Sequence, residues 1–134
     1  MDQLPADETS AILLIDSEVV TAEQIAQALG FKVSKIIFKG TATGRSETPH
    51  HPSHIAIFAS GLSVEEPLEN HLEALLNMCE AVREPLSRLL EVCGISIHCS
   101  YRVQSEGGWT LSHSLCQRMA SFLFKYLFSV EKQG

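Results

Sequence analysis

Three groups of residues have the types and spacing to do chemistry. His50, His51 and His54 lie close together in one stretch. Neutral imidazole binds zinc, copper, iron or nickel, so these rings could supply metal ligands. Pro49 and Pro52 bracket them, however, and hold the backbone extended, which scatters ring directions; a solvated loop is the alternative. His98 stands between Ser96 and Ser100, with Arg102 beyond, at alternate positions. A histidine flanked by hydroxyls could act as an acid or base in a small polar pocket. The wet face of a half-exposed strand would show the same pattern.

The third group is acidic. At ~100° per residue, Glu66, Glu69, Glu73, Glu80 and Glu84 fall on one side of a helix. Leu68, Leu72, Leu75, Leu76, Cys79, Val82, Leu86, Leu89 and Leu90 fall on the other. No Lys or Arg interrupts the ridge between Glu65 and Ala81, so the usual i,i+4 neutralisation is missing. Unrelieved like charge raises the local potential and suits capture of a basic partner through Glu66, Glu69, Glu73 and Glu80. The solvated face of an amphipathic helix is the plainer alternative.

The elements that carry these groups can be read in order. Ala11 to Ile15 is a continuously apolar run, expected as a buried strand. Thr21 and Gln24 have capping-box spacing, and Gly30 supplies the helix stop. Val33 to Phe38 predicts a second strand. Residues 41–53 carry Gly, Pro, Ser and Thr without period, an unusually long loop. His54 to Ser60 predicts a strand apolar on both faces, hence central. Ser63 to Glu66 has the form of a second capping box, with Leu62 as staple, so the long helix is expected from Val64. Pro85 should kink or split it, with a second helix starting near Arg83 and running to Cys93, ended by Gly94. Ile95 to Gln104 alternates and predicts a strand with one wet face. Glu106 to Gly108 reads as a turn, and Ser112 as the cap of a short helix. The segment 123–130 fits either a strand or a continued helix.

This order predicts one α+β domain over residues 1–134, with a flexible N-terminus at 1–10. The expected sheet is ferredoxin-like and antiparallel, with about four to five strands. Two βαβ halves would interleave in it, with helices on one face and a helical insertion between the halves.

Composition narrows the function. The chain has 134 residues, is 45% hydrophobic and carries a net charge of −6. It can bury a core without staples. The basic residues are scattered, Lys32, Lys35, Lys39 and Arg45 being the densest group, so no nucleic-acid footprint is expected. No apolar run approaches the roughly 18 residues of a membrane span, and no membrane partner is expected. Met1 to Ser10 is acidic and polar, unlike a leader peptide, and a cytoplasmic protein is expected. Cys79, Cys93, Cys99 and Cys116 form no C-x-x-C pair; Cys79 and Cys99 lie on apolar faces and Cys93 ends one. There is no P-loop, G-x-G-x-x-G or G-x-S-x-G.

The stretch Leu68-Glu69-Asn70-His71-Leu72-Glu73-Ala74-Leu75-Leu76 resembles the "leehleaLL" helix of a family of small bacterial domains of unknown function, DUF4279. The likeness runs on through the second helix, the strand Ile95 to Val103, Thr110-Leu111-Ser112 and the helix before the final strand. Thr21 to Phe31 is similar to the family's first helix and turn, and Lys39-Gly40 to its Lys-Gly turn. The chain departs from the pattern where the second strand has Ile or Ala for an aromatic. The last strand ends only as Phe128-Ser129-Val130. The resemblance implies no established activity, cofactor or catalytic residue. A suggested immunity role for some members would imply an inhibitor.

Three functions follow as expectations. The first is a non-enzymatic module that binds a basic protein through the acidic helix. The second is a small-ligand-binding or structural domain using the Ser96–Arg102 face, as a homodimer with sheets abutting. The third is an enzyme using His98 or the His50–His54 loop. No catalytic, cofactor or metal residue is assigned.

Overall fold

A computed structural model describes residues 7–44, 50–103 and 109–132. Nine elements follow in order: β1 (Glu8–Ser17), α1 (Ala22–Leu29), β2 (Lys35–Ile37), β3 (His54–Ala59), α2 (Leu68–Ala81), α3 (Arg83–Leu89), β4 (Gly94–Val103), α4 (His113–Ala120) and β5 (Lys125–Lys132). The strands form one sheet in the order β2-β3-β1-β4-β5. The expected turn at residues 106–108, Gln104 and the loop residues 45–49 lie outside the described residues, as do residues 1–6.

β1 is paired on both sides, antiparallel to β3 and to β4. Leu13 stands opposite Phe58 on one side and Ile97 on the other, and Ile15 opposite Ala56 and Ile95. These side chains all point to one face and are buried. All four helices add buried residues to the same cluster: Ile25 from α1, Leu72, Leu75 and Leu76 from α2, Leu86 from α3, Leu115 and Met119 from α4. The helices therefore cover one face of the sheet, as expected. Burying side chains of this size contributes about 1.5–3 kcal/mol each. The opposite face carries Ile12, Leu14, Ile37, Ile55 and Ile57, only half-buried, beside Ser96 and His98.

The edge departs from the expected wholly antiparallel, ferredoxin-like sheet. β5 runs parallel to β4, from Ser96 opposite Lys125 to Val103 opposite Lys132. The sheet is mixed because β4 has β1 on its other side, and a strand returning through a helical crossover joins its neighbour in parallel. The β4-α4-β5 unit thus extends the sheet instead of interleaving with the first half. The ambiguous segment 123–130 is mostly strand.

α1 forms with its predicted cap: Thr21 Oγ1 accepts from Gln24 N at 3.2 Å, and Thr21 N donates to Gln24 Oε1 at 2.9 Å. Gly30 closes it at φ 73°, a left-handed conformation that favours glycine. The second predicted capping box does not form. α2 starts at Leu68, after Pro67, and Ser63 to Glu66 make a turn closed by Glu66 N to Ser63 O at 3.1 Å. Pro67 is the reason, because a residue preceding proline is pushed out of helical conformation, and here that residue is Glu66. The helix break falls at Val82, three residues before Pro85, which sits in the first turn of α3 where its missing amide hydrogen is not needed. α3 ends at Leu89, earlier than Cys93, and Gly94 opens β4.

All four cysteines are free thiols, with Cys79, Cys93 and Cys99 buried and Cys116 exposed. Burial pushes the Cys79 and Cys99 thiols up to about 12, so at neutral pH they behave as small apolar groups. Among the described residues no helix is long and apolar enough to cross a membrane.

Candidate functional site

The acidic ridge is divided by an arginine from another helix. α4 buries Leu115 and Met119, and this sets Arg118 against α2. Arg118 Nε donates to Glu80 Oε1 at 2.9 Å, one terminal nitrogen donates to Asn77 Oδ1 at 2.5 Å, and the other lies 3.9 Å from Glu73. The hydrogen bond from Arg118 holds the Glu80 carboxyl below the usual carboxylate range. Glu73 and Glu80, expected as partner-binding residues, are thus engaged within the chain. Neutralisation comes from 38 residues away rather than from i,i+4, so no helical projection could reveal it.

The other end of the ridge has no such partner. Glu65, Glu66 and Glu69 make no ion pair among the described residues, and Glu66 Oε2 only accepts from Asn70 Nδ2 at 2.9 Å. Thr9 at the start of β1 ties down the turn that carries them. Its amide donates to Val64 O at 2.8 Å, and its hydroxyl donates to Glu66 O. Beside this turn a cleft of about 380 Å³ opens, lined by Asp7, Glu65, Glu66 and Glu69 and by Tyr101 and Trp109. Tyr101 Oη donates to Asp7 Oδ2 at 2.9 Å. The Trp109 ring lies 5.6 Å from Tyr101 and stacks on Phe128 at 5.8 Å with 9° between planes. Among the described residues no Lys, Arg or His lines the cleft. The charge of this described lining is negative, and the partly exposed Trp109 beside the buried Tyr101 gives it an aromatic side, a ring type that attracts cations.

The polar set on β4 does not form one site. Ser96 Oγ is 3.0 Å from His98 Nε2, and among the described residues no carboxylate bonds to this His to orient it as a base. Ser100 and Arg102 belong instead to a polar depression of about 230 Å³, with Ser10, Ser129, Glu8 and Glu131. Arg102 pairs there with Glu8 at 3.6 Å and Glu131 at 3.5 Å. The depression shares Thr9 and Tyr101 with the acidic cleft.

Two of the three loop histidines, His50 and His54, bond the backbone with their rings. His50 Nδ1 donates to Gly40 O at 3.1 Å, and His54 Nδ1 accepts from Lys39 N at 3.2 Å. Among the described residues no group of three His, Cys, Asp or Glu could hold a metal ion. Sequence reading missed His71. It is buried on α2, its Nδ1 lies 2.6 Å from Ser60 Oγ, and its Nε2 is buried with no partner among the described residues. An orphaned buried polar atom of this kind destabilises by about 1–3 kcal/mol.

The Arg118 clamp has a pH signature. The depressed Glu80 contributes stability above its unfolded value, near 4.3, and that contribution is lost as pH falls through the lower folded value. Both side chains are partly exposed, so solvent screening keeps the effect small. Arg118→Met should lower unfolding free energy by roughly 0.5–1 kcal/mol at pH 7. In chemical denaturation across pH, the difference from the parent should shrink below about pH 4. A difference unchanged from pH 7 to pH 3 would show that Arg118 acts by packing alone.

The comparisons with known proteins come down to one match. No curated protein and no solved structure matches the chain. The family described as "Domain of unknown function (DUF4279)" matches residues 7–131, nearly the whole length and every element above except the last residue of β5. The chain belongs to the DUF4279 family.

Proposed function

We propose that this domain is a non-enzymatic interaction module that captures a basic protein partner at the N-terminal end of the acidic ridge. One observation carries the reading: Glu65, Glu66 and Glu69 stand together at a cleft with no cation among its described lining residues, whereas Glu73 and Glu80 are met by Arg118. Carboxylates without an internal counter-charge steer and hold a cationic surface. The contact surface is therefore Glu66 and Glu69 with the cleft beside them, and Glu73 and Glu80 keep α2 and α4 together. An immunity-type inhibitor that occludes a basic surface of its partner is one form of this reading.

The test is a titration of a synthetic arginine- and lysine-rich peptide by calorimetry. The double variant Glu66→Lys/Glu69→Lys should bind at least ~10-fold more weakly, a loss of about 1.4 kcal/mol, with unfolding little changed. Affinity of the parent should fall as salt rises, because Glu66 is exposed and Glu69 only half-buried. Equal affinity for parent and variant would remove the ridge from the account.

A second reading rests on the uncovered sheet face. Ile12, Leu14, Ile37, Ile55 and Ile57 lie half-buried there, and among the described residues no helix covers them. A second copy, sheet against sheet, would cover them. Sedimentation equilibrium should then show a mass rising to that of a dimer, and Ile57→Lys should return it to a monomer. A monomer at all concentrations would discard this reading.

A further inference from the structure

The walls of the acidic cleft differ in chemistry, and the difference specifies its occupant more narrowly than net charge does. One side is carboxylate: Glu65 and Glu66 on the turn, Glu69 in the first turn of α2, and Asp7 ahead of β1. The other is aromatic, formed by Tyr101 and Trp109. We propose that this cleft is the anchor subsite for a single arginine side chain of the basic partner; the proposal rests on the reading above.

Each alternative cation leaves one wall unused or poorly matched. A bare metal ion takes carboxylate oxygens and gains little from indole and phenol rings. A lysine ammonium is a compact, strongly hydrated point charge that is desolvated reluctantly against an aromatic wall. A guanidinium is planar and weakly hydrated. Its face stacks on an aromatic ring while its edge gives two parallel N–H donors to a carboxylate. The size agrees: about 380 Å³ lies at the lower end of the roughly 300–1,000 Å³ of ligand pockets, room for one long side chain and the backbone that carries it.

The walls are also held before any partner arrives. Thr9 fixes the turn of Glu65 and Glu66 to β1, Tyr101 bonds Asp7, and Phe128 backs the Trp109 ring. Pre-organised clefts of this kind lose little entropy on binding, and arginine and tryptophan are the residues most enriched where a few contacts dominate an interface.

Trp109 is the sole tryptophan of the chain, so indole fluorescence reports on this cleft directly. The intact chain is titrated with N-acetyl-arginine amide, N-acetyl-lysine amide and the neutral isostere N-acetyl-citrulline amide. The expected result is a saturable change in Trp109 emission with the arginine probe. It should half-saturate at least ~5-fold lower than with the lysine probe and ~10-fold lower than with citrulline. Glu69→Gln, an exchange of nearly equal shape that leaves no cavity, should weaken the arginine response at least ~5-fold. Lysine matching arginine would overturn the guanidinium assignment, and citrulline matching it would overturn the role of charge. A flat Trp109 signal, with the basic peptide still bound in a carboxylate-dependent way, would overturn the anchor and leave the ridge reading standing. Loss of both signals would overturn both.

Discussion

The two-sided pairing of β1 is the constraint on which everything else depends. Its alternate residues Ala11, Leu13 and Ile15 are buried beneath the helices while β3 and β4 take up its backbone groups on either side. The same alternation turns Thr9 inward, and Thr9 holds the 63–66 turn beside the sheet. A slip of one residue in register would turn Leu13 outward and put Glu8 or Ser10 in the place of Thr9. Core and candidate site are thus set by one alternation, and the carboxylates stand where they do because the core packs as it does.

Charge is then apportioned along α2. From Glu73 to Glu80 it faces α4, and there Arg118 turns two carboxylates and Asn77 into an internal clamp. Its N-terminal end faces the start of β1 and Trp109, and among the described residues neither side places a cation in the cleft. A ridge of one sign in sequence therefore becomes two regions with different work, one holding helices together and one turned outward. The first-turn position of Glu69 also lets its charge offset the positive end of the helix.

Features governed by near neighbours were legible in the sequence. The inward and outward sets of β4, the capping box and glycine stop of α1, and the helix break before Pro85 all appear as read. One local signal was overlooked: Pro67, which forbids a helical Glu66 and moves the start of α2 to Leu68. The rest depends on tertiary partners that no spacing encodes. Arg118 reaches α2 from α4, β5 takes the free edge of β4 because β1 already occupies the other side, and His71 meets Ser60. The cleft is of this kind too. Asp7, the 65–69 segment, Tyr101 and Trp109 come from four separate stretches, and only the carboxylates of the second stood out in the sequence.

Amide chemical-shift mapping with an arginine-rich peptide tests the central claim most directly, because it reports every surface at once. The account predicts the largest shifts at Asp7, Glu65 to Glu69 and the Trp109 indole N–H, with the Glu73–Glu80 segment and the open sheet face nearly still. Shifts centred on Ile12, Leu14, Ile55 and Ile57, or spread evenly along α2, would contradict it.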